Sequence, residues 1–258
     1  MNSSNRLARG VQFRGADSAR VARRAAPAGP AVSAIVLAGG RARRLGRDKA
    51  AIPVGGVRVL DRVLSVLAGL CDDIVVVGRS VWSGAPTDVR FLEDQTPGQG
   101  PLGGLWTGLG AIRHERALVV GCDMPFLTGD LLRELLARSA RADATVTRTG
   151  EQVQPLLAVY DRRVRPRVEQ LLASKDRSLM ALLRTVEVCQ VDVGVGEWAA
   201  FSINSPQDLS RARKFVRERK GGNDRGGGEA AAEEQRLGGT RRPARPRGCS
   251  MWSCLPLR

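Results

Sequence analysis

Four short apolar runs decide most of what this chain can fold into. They are Ser33–Ala38 (SAIVLA), Asp73–Val77 (DIVVV), Val89–Leu92 (VRFL) and Ala117–Gly121 (ALVVG). Short, nearly continuous apolar runs, as opposed to alternating ones, are the pattern of strands covered on both faces. Between them the period changes. Val59, Leu60, Val63, Leu64 and Leu67 recur at helical spacing, as do Leu131, Leu132, Leu135 and Leu136, with Thr128 placed to cap the second helix. A glycine-rich turn from Gly98 to Gly104 is predicted to run into a helix ending near Arg113. Further strands are predicted at Ala144–Thr147, Pro155–Tyr160 and Val186–Val193, and helices near Val164–Ala173, Leu179–Arg184 and Pro206–Val216. This alternation predicts an α/β fold: one three-layer domain with a mainly parallel, Rossmann-like sheet. Ligands bind outside the carboxyl ends of the strands in such sheets. That rule selects the loops after Ala38, Leu92 and Gly121.

Composition divides the 258 residues into a predicted domain at 32–216 and two tails, 1–31 and 217–258, expected to be disordered. The first tail is basic and short of large apolar residues, and the second holds five glycines within Gly221–Gly228. Neither can bury enough apolar surface to offset the entropy of ordering. The formal charge of +15 invites a nucleic-acid reading. Its distribution argues otherwise. Each tail carries +5, leaving only +5 over the central residues, and neither tail interleaves its cations with aromatics. Nucleic-acid binding therefore remains a distant alternative, and a mildly positive core suits polyphosphate substrates. The five cysteines lack metal-ligand spacing; Cys71, Cys122 and Cys189 lie in or beside apolar runs as small buried thiols, while Cys249 and Cys254 fall in the basic tail. No run approaches the ~18 apolar residues of a membrane span. The Arg- and Ala-rich N-terminus has the look of a transit peptide or of a start codon placed upstream, and lacks a secretory apolar stretch. A cytoplasmic location is the expectation, with no membrane contact.

Chemistry concentrates after the predicted strands. The first loop, Leu37 to Lys49, reads LAGGRARRLGRDK and puts Arg41, Arg43, Arg44, Arg47 and Lys49 within nine residues of one another. Two glycines straight after a strand let backbone N–H groups approach a ligand, and five cations can cradle a triphosphate. The bland alternative is a solvated basic turn. No Gly-Lys-Ser/Thr follows, so this is not a P-loop, and G-x-G-x-x-G is absent. Asp123 directly follows ALVVGC at the end of the fourth run, where a carboxylate can hold Mg²⁺ beside substrate phosphates; an ordinary turn aspartate is the alternative. Asp94 ends the third run, positioned to hydrogen-bond a base or ribose, and the glycines of GQGPLGGL leave room for a flat ring. His114 reads as a surface or helix-end residue, Lys175 and Asp176 as a polar turn between helices, and the four tryptophans as scattered.

Taken together, these segments resemble the molybdenum cofactor guanylyltransferases. The family's LAGG, Arg-Met-Gly and Asp-Lys appear as Leu37–Gly40, Arg44-Leu45-Gly46 and Asp48-Lys49. Its G-P-L-x-G appears as Gly100-Pro101-Leu102-Gly103-Gly104, and its Cys-Asp-x-Pro as Cys122-Asp123-Met124-Pro125. The Q-P-L-x-A-x-Y segment is Gln154 to Tyr160, and the closing Asn-x-Asn-Thr-Pro-x-Asp is Ser202-Ile203-Asn204-Ser205-Pro206-Gln207-Asp208. Five motifs fall in the family's order across the whole predicted core. Two departures matter: Ser202 stands where the first asparagine is usual, and Leu45 replaces Met with little change of volume.

The resemblance implies a fold of the nucleotide-diphospho-sugar transferase type and transfer of GMP from GTP to the phosphate of molybdenum- or tungsten-bearing molybdopterin. Related enzymes that use CTP, or act on sugar phosphates or phospholactate, are the alternative. Arg44, Lys49 and Asp123 take the catalytic roles. Leu37, Ala38, Gly39, Gly40, Lys49, Asp94, Gly103 and Asp123 form the GTP site. Mg²⁺ is the implied cofactor, held by Asp123 with Asn204 as a second candidate ligand. Transient contact with molybdoenzymes or cofactor-insertion proteins is the expected partnership.

Overall fold

The apolar runs become the middle of one twisted sheet. The computed structural model describes residues 31–39, 49–81, 85–194 and 198–223. In chain order they form β1 (Ser33–Leu37), a small hairpin of β2 (Pro53–Val54) and β3 (Val57–Arg58), and α1 (Val59–Leu67). Next come β4 (Asp73–Val77), β5 (Val89–Leu92), α2 (Gly100–Ala111), β6 (Arg116–Gly121), α3 (Gly129–Arg138), β7 (Ala144–Thr149) and β8 (Gln152–Asp161). Then follow α4 (Arg165–Leu172), α5 (Leu179–Leu183), β9 (Val188–Asp192) and α6 (Pro206–Asn223). The large sheet has the order β5-β4-β1-β6-β8-β7-β9. All its pairings are parallel except those of β8, which runs against both neighbours. The α/β three-layer expectation is met.

Alternate residues of each strand face opposite layers. Ala34 and Val36 of β1 pack in the same cluster as Leu60, Val63, Leu64 and Leu67 of α1 and Leu132 and Leu135 of α3. Ile35 and Leu37 pack with Leu102, Leu105 and Leu109 of α2 and Val168 of α4. Each fully buried aliphatic side chain here contributes about 1.5–3 kcal/mol over exposure. Thr128 caps α3, its hydroxyl accepting from the Leu131 N–H at 3.5 Å.

The glycine-rich segment differs from expectation: Gly100, Gly103 and Gly104 are already helical, in the first turns of α2. The reason is tertiary. A β-carbon on Gly108 would lie 2.6 Å from Ile35, and one on Gly104 3.1 Å from Leu37, so the missing side chains let α2 sit close on β1. The strand over Pro155–Tyr160 begins earlier, at Gln152, and bulges against β7 between the Thr147–Gln154 and Val146–Ala158 pairs. Buried Tyr160 donates its hydroxyl to the Pro155 carbonyl at 3.0 Å, and Thr147 donates to the Leu157 carbonyl at 3.1 Å. Those bonds satisfy the bulge internally, and burial pushes the Tyr160 phenol well above its ordinary value.

α6 continues beyond residue 216 to Asn223. Its Ala212, with Ile203, joins Ile52, Val54 and Val59 of the hairpin region in a third small core. Trp198 is less isolated than the sequence suggests: it stacks on Phe215 at 4.0 Å and meets Phe126 edge-on at 5.3 Å. His114 does sit at the end of α2, 2.7 Å from Asp72. At the amino ends of the strands, buried Asp73 accepts from Ser33 Oγ at 2.6 Å, the Arg113 N–H at 2.8 Å and Arg90 at 2.5 Å. Burial raises its affinity for a proton, but these bonds and the Arg90 charge outweigh it and hold the carboxyl below its usual value. Burial, followed by the charges of Asp72 and Asp73, pushes the Cys71 thiol up to about 12, making it an inert core group. The tail segments 1–30 and 224–258 lie outside the described residues. Among those described, no helix is long and apolar enough to cross a membrane.

Candidate active site

The order of the sheet reverses at β1: β4 and β5 lie to one side, β6 to the other. A reversal of this kind opens a crevice at the carboxyl ends of the two central strands. Here the strands finish level. Leu37 pairs with Gly121, and the Cys122 N–H donates to the Leu37 carbonyl at 3.2 Å. On the other side the Ala38 N–H donates to Val77 at 2.9 Å, and the Gly78 N–H to Leu92 at 2.8 Å. The loops carrying Gly39, Gly78, Asp94 and Asp123 thus leave one edge of the sheet. β5 and β6 stand three strand spacings apart, about 14 Å.

Two backbones meet at the centre of that edge. Gly78 has φ +84°, and a β-carbon there would lie 2.7 Å from the Gly39 Cα. Only glycine fits both the conformation and the contact. In the sequence Gly78 is marked only by following an apolar run, as Gly39 does. Leu37 packs its side chain into the core under Gly104 and gives its carbonyl to Cys122, while Ala38 is half-buried.

At the β5 side, Asp94 Oδ1 accepts from the Thr96 N–H at 3.0 Å, the Thr96 hydroxyl at 3.2 Å and the Thr107 hydroxyl at 3.4 Å. Gly103 has a packing reason of its own, because a β-carbon there would fall 2.3 Å from Thr96 Oγ1. At the β6 side, Asp123 is half-buried and its carboxylate lies back over the strand end: a β-carbon on Gly121 would sit 2.6 Å from Asp123 Oδ1.

The closing motif comes to Asp123 from the far end of the chain. The Ile203 N–H donates to the Asp123 carbonyl at 2.9 Å. One residue on, Asn204 donates from Nδ2 to Ser202 Oγ at 2.9 Å, so the serine that departs from the family pattern supplies a partner through its hydroxyl. Asp208 is occupied by the fold. It accepts from the N–H groups of Asn204 and Ser205, at 3.1 and 2.9 Å, and its own N–H donates to Ser205 Oγ at 3.2 Å. This reciprocal capping box starts α6 and fixes the loop holding Asn204.

A carboxylate and an amide carbonyl are hard oxygen donors of the kind Mg²⁺ takes when it keeps waters and substrate phosphates as its other ligands. Among the described residues, no three His, Cys, Asp or Glu side chains gather into a protein cage. Asp123 and Asn204 each carry an oxygen donor of that type. Gly40 and Arg44 lie outside the described residues; Lys49 opens a 3₁₀ turn over Lys49–Ala51, and its side chain is likewise outside them.

Residues 34–191 match the family model described as the MobA-like NTP transferase domain. The chain is 36% identical over 192 residues to the probable molybdenum cofactor guanylyltransferase of Methanothermobacter thermautotrophicus, covering 69% of this chain and 96% of that one. Molybdopterin-guanine dinucleotide biosynthesis protein A from Archaeoglobus fulgidus superposes with a TM-score of 0.61 at 24% identity, over 72% of this chain and all of that one. The 4-diphosphocytidyl-2C-methyl-D-erythritol synthase of Anaerococcus prevotii gives 0.60 at 18% identity, over 72% and 96%. Both solved structures share the fold.

Proposed function

This chain belongs to the MobA-like NTP transferase family, and from that premise we propose that it transfers GMP from GTP to the terminal phosphate of molybdenum- or tungsten-bearing molybdopterin. The observation that carries the reading is the level ending of β1 and β6, which brings Leu37 and Cys122 side by side where the sheet order reverses.

A terminal phosphate oxygen of the pterin attacks the α-phosphorus of GTP in line. A new P–O–P bond forms, the bond from the α-phosphorus to the bridging oxygen breaks, and pyrophosphate leaves with the electron pair. Little covalent work falls to the protein, so positioning and charge neutralisation dominate. Asp94 and the backbone amides of Gly39 and Gly40 seat the nucleoside. Arg44 and Lys49 neutralise charge on the departing pyrophosphate. Asp123 and Asn204 would hold Mg²⁺, which would lower the charge on the reacting phosphates. Partner contacts with proteins that accept the finished dinucleotide follow from the product, which must be handed on.

The fold by itself does not choose the base, since the cytidylyl enzyme above shares it. Pyrophosphate release with each of the four NTPs, Mg²⁺ and molybdopterin tests the reading. Release with GTP alone is expected; release only with CTP would move the chain to the neighbouring activity.

A further inference from the structure

Thr107 is a polar residue on the buried face of α2, between Leu102, Leu105 and Leu109, and only 2% exposed. A hydroxyl among leucines is costly unless it is hydrogen-bonded. Here it is used twice, and both bonds leave the helix. Thr107 Oγ1 accepts from the Gln95 N–H at 3.2 Å and donates to Asp94 Oδ1 at 3.4 Å. One hydroxyl thus ties two consecutive residues of the loop after β5 to the helix packed on β1. Thr96 completes the arrangement: its N–H and hydroxyl also reach Asp94 Oδ1, and its Oγ1 occupies the space that a side chain on Gly103 would need.

We infer that Thr107 is a positioning residue that orients Asp94 toward the nucleoside of the NTP. The inference rests on the assignment of Asp94 to the nucleoside made above. Thr107 does not touch substrate. It fixes which oxygen of Asp94 is spent inside the protein and anchors the loop before a ligand arrives. Preorganisation of this kind lowers the cost of binding. A purely structural threonine would set stability alone, whereas a positioning one sets the KM for GTP through Asp94.

The test compares Thr107→Val, which keeps the shape and removes the hydroxyl, with Thr107→Ser, which keeps the hydroxyl. Asp94→Asn and the double variant Asp94→Asn/Thr107→Val complete a cycle. Steady-state pyrophosphate release with GTP and molybdopterin is measured for the full chain, with the melting temperature of each variant. Thr107→Val is expected to raise the KM for GTP by roughly 3- to 10-fold, the scale of one net hydrogen bond, with the effect falling on KM and not on kcat. Thr107→Ser restores the parental KM, and the double variant is no worse than Asp94→Asn. If Asp94→Asn raises KM while Thr107→Val leaves it parental, or if the two effects add fully, Thr107 does not act through Asp94 and the inference fails. If Asp94→Asn itself leaves KM parental, the nucleoside assignment fails and this inference with it. Should Thr107→Val not fold, Thr107→Ala read in the same cycle gives the same decision.

Discussion

Asp123 and Ile203 are joined backbone to backbone, the Ile203 N–H donating to the Asp123 carbonyl at 2.9 Å across eighty positions of sequence. The bond places the Ser202–Asn204 loop against the end of β6. On the proposal that Asp123 and Asn204 hold Mg²⁺, removing the carboxylate takes away the charged ligand of the cation that would offset the phosphate charge. Asp123→Ala is expected to keep its melting temperature within a few degrees and lose about a hundredfold or more in kcat, the scale for one key electrostatic group. Turnover close to parental at saturating Mg²⁺ would locate the metal elsewhere.

Gly121 predicts a subtler defect. A β-carbon there meets Asp123 Oδ1 at 2.6 Å, so Gly121→Ala must displace the carboxylate it leaves chemically intact. Misplacement on the ångström scale costs roughly 10- to 100-fold in rate. The expected result is a fall in kcat with little change in the KM for GTP; parental kcat would show that the position of this carboxylate is unimportant.

The proposed contacts of Lys49 and Arg44 with the triphosphate are open to a binding test. Hydrogen bonds to charged groups contribute roughly 1.5–3 kcal/mol each, or about 10- to 150-fold in affinity. Calorimetric titration of GTP into Lys49→Ala and Arg44→Ala should show losses in that range. If both bind like the parent, the basic loop is solvated surface.

Asp73 sits at the opposite edge of the sheet and predicts stability without catalysis. Its carboxyl is held below its ordinary value in the fold. Such a group contributes stability that is fully present above the unfolded value, near about 4, and is lost as pH falls through the folded value. Thermal melts should therefore show this contribution intact at pH 7 and disappearing below about pH 4. Asp73→Asn should lose about 2 kcal/mol at pH 7 and flatten the acid limb. Arg90 is 36% exposed, so water recovers part of its charge and keeps the loss below that of a fully buried pair. The KM for GTP should stay parental.

The central strands were legible because a buried parallel strand writes itself as a continuous apolar run, and Thr128 announced α3 through a local bond. The loops after those strands were legible for the same reason: a strand's end fixes where the loop begins. What escaped the sequence depends on distant partners. The glycines at the start of α2 point to a turn, since glycine disfavours helix by about 1 kcal/mol; close approach to Ile35 and Leu37 overrides that preference. The hairpin of β2 and β3 has two residues a strand, too few to show a period. Trp198 looks solitary until Phe126, Phe201 and Phe215 arrive from other segments. Gly78 shows its constraint only beside Gly39, and Thr107 its bonds only beside Asp94 and Gln95.

Attack on the α-phosphorus of GTP by molybdopterin is read from the fate of a phosphorus label. The protein is incubated with molybdopterin, Mg²⁺ and GTP labelled at either the α- or the γ-phosphorus, and pterin and pyrophosphate are separated. The α-label should appear in the pterin dinucleotide and the γ-label only in pyrophosphate. A γ-label on the pterin, or no transfer of the α-label from GTP when α-labelled CTP does transfer, would contradict the account.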